Sequence, residues 1–297
     1  MTQALLDAAR RFAETHADPA GVARTPIPGL TIIRETMPGL LQYAVNRPLV
    51  AMLLQGRKRV TMGSEIFDFG AGESLLITTD VPTISQITRA SAGTPYFSIV
   101  FDLDPAVIEG LVMEMGAAPF AAGQPVRVDP TEGEVADAAL RLLRLLDRPA
   151  SVPILQGQLV RELHYWLLSG RHGAAIRSLG VADSHAQRIG RAVAVIRADF
   201  AKPLRMERLA EVAGMSPSTF HEHFRAITSL SPLQLQKQLR LIEARRMLLS
   251  DGATIGHAAH AVGYESVPQF TREYGRMFGL PPARDLKAVK TRLQAAA

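Results

Sequence analysis

From residue 26 to residue 103 apolar and polar positions alternate, and the alternation predicts short strands at 49–54, 57–62, 65–69, 74–78, 83–88 and 96–103. Turn-forming residues part them at Gln55-Gly56, Gly63-Ser64 and Gly70-Ala71-Gly72. Strands so closely spaced, with no helix between them, predict an antiparallel barrel or sandwich. From Asp104-Pro105 onward the period lengthens to that of helices. Asp104 is placed to cap a helix over 105–115, and Asp129 to cap a stretch ending near Leu146. Ile154, Leu155, Leu159, Leu163 and Trp166 draw an apolar stripe along a third helix, to be packed on its own domain or, if exposed, on a second copy. The small, polar segment 178–185 predicts a linker, dividing the chain into domains at 1–177 and 186–297.

The second of these contains a repeat, visible when Gly214 is aligned with Gly263. Eight residues before each glycine stands an apolar residue, Met206 or Ile255, and four before it an alanine, Ala210 or Ala259. After each come a bulky apolar residue (Met215, Tyr264), a serine (Ser216, Ser266) and an aromatic pair one helical turn apart, Phe220 with Phe224 and Phe270 with Tyr274. Pro232 and Pro282 close the two units, the second of which has one extra residue in its turn. Alanine lets a first helix approach a second, glycine supplies a left-handed turn, serine caps the second helix, and the aromatic pair anchors its inner face. Its outer face stays free, as a helix entering a major groove requires. A plain helical bundle has the same packing needs, but two such units joined by a long helix from Pro232 to Leu249 favour a double helix-turn-helix.

Charge strengthens that reading. Up to residue 184 there are 16 basic and 19 acidic residues, and beyond it 17 and 9, so the net charge of +5 comes from the C-terminal part alone. A localised basic excess is the footprint of a polyanionic partner. Composition narrows the rest. The length of 297 residues suits two domains, and 47% hydrophobic with 21% charged residues suits a folded chain. Cysteine is absent, which removes disulfides, thiolate metal sites and cysteine nucleophiles. The longest apolar run, 49–54, is far too short to cross a bilayer. Residues 1–16 carry Asp7, Arg10, Arg11 and Glu14 in helical spacing, unlike a signal peptide. The expectation is a cytoplasmic protein with no membrane partner.

The stretch Leu209-Ala210-Glu211-Val212-Ala213-Gly214-Met215-Ser216-Pro217-Ser218-Thr219-Phe220 resembles the first motif of the AraC/XylS family of transcription regulators. Arg240-Leu241, Ala244 and Leu248 resemble its linker helix, and Val262-Gly263-Tyr264-Glu265-Ser266, Gln269-Phe270, Arg272, Arg276 and Phe278-Gly279 its second motif. Ser229 stands where the family usually has glycine, Ala258 where a larger aliphatic residue is common, and Tyr274 where phenylalanine is usual. The resemblance implies that Ser218, His221 and Glu222 of one recognition helix and Val267, Pro268, Thr271 and Arg272 of the other face the groove. Serine, histidine and glutamate can read base edges, Val267 and Pro268 offer only apolar contact, and Arg225 and Arg276 suit phosphates. Arg272 could instead tie helix to helix. The partners implied are double-stranded promoter DNA, RNA polymerase and a second copy of the chain.

The strand-rich half, through Leu54-Gln55-Gly56-Arg57-Lys58 and the segment Ala90-Ser91 to Pro95-Tyr96, is similar to the cupin-like N-terminal domains of these regulators. The fold class expected is α+β: an antiparallel, cupin-like barrel with flanking helices, then an all-α double helix-turn-helix. The barrel would bind a small effector or serve dimerisation. Strand alternation offers Met52, Leu54, Gln86, Phe97 and Ile99 as inward positions, with core packing the competing reading for each. The rival function is a cupin enzyme with a metal on histidines, yet none occurs between His16 and His164. His221 and His223 point to different sides of one helix, and His257 and His260 share a face that a solvated surface explains. Gly70-Ala71-Gly72 leads into a strand and is no dinucleotide fingerprint, and no Gly-x-Ser-x-Gly elbow or phosphate loop appears. The sequence thus predicts no metal, no cofactor and no catalysis, leaving a ligand-independent DNA-binding protein as the other alternative.

Overall fold

The computed structural model describes residues 2–62, 65–116, 126–171, 173–180 and 184–296. The six strands expected from alternation are present as β4 (Leu49–Gln55), β5 (Arg57–Met62), β6 (Glu65–Gly70), β7 (Glu73–Ile77), β8 (Val81–Arg89) and β9 (Tyr96–Asp102). Four more join them: β1 (Val22–Arg24), β2 (Leu30–Glu35), β3 (Gln42–Asn46) and β10 (Val126–Pro130). They form two antiparallel sheets, one in the order β1-β2-β9-β4-β7-β10 and the other β3-β8-β5-β6. The two share no strand among the described residues, so the cupin-like half is an open sandwich. Its interior holds Leu53, Val60, Phe69, Leu75, Ile87 and Tyr96. The expected turn at Gly63-Ser64 lies outside the described residues.

The larger sheet is buried on both faces. Its outer face is covered by α1 (Thr2–His16), α2 (Pro105–Met115), α3 (Gly133–Leu146), α4 (Val152–Ser169) and α5 (Gly173–Gly180), with Leu5, Ala9, Ala138, Leu142 and Leu163 packed against Ile32 and Phe101. Asp104 caps α2 as expected, accepting from the Ala106 amide at 2.9 Å. Asp129 does not cap α3: it lies in β10, paired across to Ser74 of β7, and α3 begins only at Gly133. The fivefold stripe on α4 splits, because Leu163 is fully buried while Ile154 and Leu155 are 71% and 45% exposed. Residues 178–180 of the expected linker close α5; 181–183 lie outside the described residues, and Ser184 accepts from the Gln187 amide at the start of α6 (His185–Ala198).

The chain divides into two compact units, Met1–Gln187 and Arg188–Ala297. The second is all helical: the rest of α6, then α7 (Met206–Val212), α8 (Pro217–Thr228), α9 (Pro232–Ser250), α10 (Ile255–Ala261), α11 (Val267–Phe278) and α12 (Pro282–Ala296). Among the described residues no helix is long and apolar enough to cross a membrane.

Candidate nucleic-acid interface

The sequence repeat folds as two helix-turn-helix units, α7–α8 and α10–α11, closed by the same bonds. Beyond α7 the chain turns through Gly214 at φ 60° and the Met215 amide donates to Ala210 O at 2.9 Å; beyond α10 it turns through Gly263 at φ 87° and the Tyr264 amide donates to Ala259 O at 3.0 Å. Both are Schellman-type closures in which glycine takes the left-handed position. At Gly263 glycine is required twice over, since a Cβ would run into Ala201 O. Ser216 and Ser266 then cap the second helices, accepting from the Thr219 amide at 3.3 Å and the Gln269 amide at 3.4 Å.

The aromatic pairs anchor the inner faces. Phe220 and Phe224 meet edge to face with centroids 5.4 Å apart, Phe270 and Tyr274 at 5.5 Å, and all four are fully buried. With 220 and 224 inward, helical spacing turns Ser218, His221, Glu222 and Arg225 outward, and all four are exposed along one face of α8. On α11 the exposed line runs through Pro268, Arg272 and Arg276. Val267 and Thr271 sit at its half-buried edge: Val267 packs against the core, and the Thr271 hydroxyl donates back to Val267 O at 2.9 Å. Arg272 is no tie between helices; it is exposed, with no hydrogen bond or ion pair among the described residues. Gln269 shares the exposed face, and sequence reasoning passed over it, although counting from Arg272 by helical period would have found it.

What makes the two units one body is α9. Its 19 residues rise about 28 Å. A capping box of Ser231 and Gln234 starts it, and Leu235, Leu241, Ala244 and Leu248 are buried along its length. Arg240 ties the segment between α6 and α7 to the second unit: Nε donates to Phe200 O at 2.7 Å beyond the end of α6, and Nη1 to Gly263 O at 2.9 Å in the second turn. Gln236 adds bonds to Phe200 O and Lys202 O at 2.9 and 2.7 Å. Two outward faces on one rigid frame can engage two stretches of a single polyanion.

In the N-terminal unit the effector candidates are placed differently from the expectation. Met52, Leu54, Phe97 and Ile99 do share a face, but it is the helix-covered face of the larger sheet, where they pack with Leu5 and Ala9 in the core. Gln86 alternates with the interior residue Ile87, so it faces out of the sandwich, donating to Gly39 O at 3.1 Å. Lys58, which sequence reasoning did not single out, does point inward: it lies opposite Phe69 and Ile87, both interior residues. Burial pushes its ammonium down to about 8. Among the described residues no three His, Asp or Glu side chains gather as metal ligands would.

Comparison with known proteins gives the same division. A family described as AraC-type transcriptional regulator N-terminus matches residues 26–175, and a helix-turn-helix domain family matches 209–288. Over 90 residues the chain is 31% identical to the uncharacterized HTH-type transcriptional regulator YobQ of Bacillus subtilis, covering 30% of this chain and 37% of that protein. Over 257 residues it is 24% identical to the HTH-type transcriptional regulator ExsA of Pseudomonas aeruginosa, covering 82% and 87%. The first curated relatives are spanned for only 24–40% of their own length. Among solved structures, apo ToxT of Vibrio cholerae aligns over 89% of this chain and 98% of its own with a TM-score of 0.59 at 8% identity. ToxT bound to an unsaturated fatty acid aligns over 87% and 93%, with a TM-score of 0.56 at 9% identity. At such identity the likeness is one of fold.

Proposed function

The chain belongs to the AraC-type transcriptional regulators, and from that membership we propose that it is a sequence-specific regulator binding double-stranded promoter DNA through α8 and α11. The observation that carries the reading is the pair of exposed faces, Ser218–His221–Glu222–Arg225 and Pro268–Arg272–Arg276, held on one frame by Arg240 and α9. Val267 and Thr271 flank the second face. The two helices enter successive major-groove segments about one helical turn, or roughly 34 Å, apart. Side chains at the centre of each face read bases, while Arg225 and Arg276 meet phosphates.

The N-terminal sandwich acts as the regulatory part, responding to a small effector and joining two copies of the chain. That ToxT, with the same fold, has been seen with a fatty acid supports an effector role. RNA polymerase is the further partner and the cytoplasm the place of action. This reading excludes a cupin enzyme.

Footprinting of the full chain on the DNA upstream of the genes beside its own tests the proposal. Two protected segments one turn apart are expected. Inserting about five base pairs between them sets the half-sites on opposite sides of the duplex and should abolish tight binding. Affinity that survives the insertion, or shows no salt dependence, refutes the reading.

A further inference from the structure

A carboxylate on a recognition helix is repelled by phosphate, and α11 carries one, Glu273. It does not face outward. Its side chain is only 13% exposed and turns toward α9, where Oε1 accepts from Lys237 Nζ at 3.0 Å. Oε2 accepts from the hydroxyl of Tyr264, in the turn before α11, at 2.7 Å. Burial works to raise the pKa of this group, but the bonds from Tyr264, Lys237 and Gln269 outweigh it and bring the pKa below the ordinary glutamate value. At neutral pH the carboxylate is therefore ionised and can only accept hydrogen bonds.

The bonds from Lys237 and Tyr264 hold α11 to the linker helix and to its own turn. The third bond has no such use. Gln269 Nε2 donates to Glu273 Oε1 at 3.3 Å from one helical turn away, so this bond joins α11 only to itself. What it does is choose between the two ways round that an amide can lie. An acceptor-only carboxylate must meet the NH2 group, and the carbonyl oxygen of Gln269 is left free of it, without a partner among the described residues. One N–H of the same amide is left as well.

Gln269 lies where base edges are read. The buried pair Phe270 and Tyr274 fixes the inner side of α11, and the exposed Arg272 stands opposite. Residues three apart differ by about 60° in direction around a helix and adjacent ones by about 100°, so the exposed Gln269 is nearer to Arg272 than Thr271 is. It also belongs to the first turn after the Ser266 cap, and the first turn of a recognition helix is the part that meets the bases.

We propose that Gln269 is a base-reading residue and that Glu273 is the positioning residue that presents its amide to adenine. A free carbonyl and a free N–H together match the N6 amino group and N7 of adenine in the major groove. Guanine offers two acceptors there, and thymine and cytosine a single polar group each. The inference rests on the regulator reading above and adds to it one base and the pair of residues that selects it.

Selection of the full chain on a randomised DNA pool, followed by affinities for single-base variants of the selected operator, tests it. In the half-site of α11 one adenine is expected whose replacement weakens wild type roughly tenfold and Gln269→Ala not at all. In Glu273→Gln the Tyr264 hydroxyl takes the new carbonyl, an NH2 group faces Gln269, and the Gln269 amide is turned round. The adenine preference should then fall to about twofold or less. Lys237→Met breaks the tie between α9 and α11 but keeps the bond from Gln269 to Glu273, so the preference should stay full even where overall affinity falls. Equal loss of preference in Lys237→Met and Glu273→Gln would mean that helix placement, not amide orientation, matters, and overturns the role of Glu273. A Gln269→Ala chain with unchanged preference at every position overturns the inference while the regulator reading stands. A chain that selects no sequence overturns both.

Discussion

Ser229 and Gly279 end the two recognition helices in the same left-handed conformation, at φ 61° and 79°, and donate from equivalent amides to Arg225 O at 2.9 Å and Gly275 O at 3.0 Å. Glycine adopts that conformation freely, whereas an L side chain crowds the following carbonyl at a cost of about 1–2 kcal/mol. Ser229 is the non-glycine residue held there among the described residues. Ser229→Gly should therefore stabilise the C-terminal unit by about 1 kcal/mol and raise its melting temperature by a few degrees, while Gly279→Ala should lower it by a similar amount. Thermal unfolding of the two variants decides the matter, and a Ser229→Gly protein that melts lower than wild type contradicts the assignment.

A second prediction concerns Tyr274, where the family usually carries phenylalanine. Its hydroxyl donates to Asp285 Oδ2 at 2.8 Å, and Asp285 also takes Arg245 Nε at 2.8 Å, both charged side chains being largely buried. The hydroxyl is one of several bonds to a buried carboxylate, so Tyr274→Phe should cost only about 1 kcal/mol. Asp285→Ala leaves the Arg245 charge without this partner in a buried place and should cost about 3 kcal/mol. Denaturant unfolding that ranks the two the other way round would show that the tyrosine on α11, not the ion pair to α9, is what chiefly holds α12 in place.

The helix-turn-helix half was legible because each of its requirements is local. A left-handed turn needs Gly214 or Gly263, a cap needs Ser216 or Ser266, and an anchored face needs aromatics one turn apart, so spacing alone places them. Strand alternation also sorted Met52, Leu54, Phe97 and Ile99 onto one face, even past the bulge between Leu53 and Gln55. It could not say which of two buried faces that was. A sheet covered by helices on one side and by a second sheet on the other presents apolar residues both ways, and only tertiary packing distinguishes them. Asp129 was misread for a related reason: the signal for a cap and the signal for a strand end use the same residue types.

Lys58 yields a prediction with a defined pH window. Its pKa is depressed by burial to about 8, so the folded chain holds the proton less tightly than the unfolded chain, where lysine titrates near 10.5. Stability is therefore full above 10.5, falls as pH drops toward 8, and below 8 carries the whole penalty. Lys58→Met should stabilise the protein at pH 7 by about 3 kcal/mol, and the advantage should shrink steadily as pH rises from 8 to 10. Unfolding curves at several pH values provide the measurement. A variant advantage that does not depend on pH would mean that side-chain packing, not the buried charge, accounts for it.

Glu222 and Arg276 should do different work on DNA, although both are exposed on recognition helices. Glu222 stands one turn after Ser218 on the outward face of α8 and has no partner among the described residues. A carboxylate brought against DNA is repelled by phosphate and is tolerated only where it accepts a hydrogen bond, most naturally from a cytosine amino group. Glu222→Ala should then relax preference at one base position by about 1–3 kcal/mol, while affinity for unrelated DNA stays level or rises. Arg276 lies in the last turn of α11, far from the capped end that leads into the groove, and its reach is to the backbone. Arg276→Ala should weaken binding to all sequences alike and reduce the salt slope by about one unit. Both variants are to be measured against single-base operator variants at two salt concentrations. Uniform weakening by Glu222→Ala, or a changed preference at one base with Arg276→Ala, would mean that the faces of the two helices are assigned wrongly even though the fold stands.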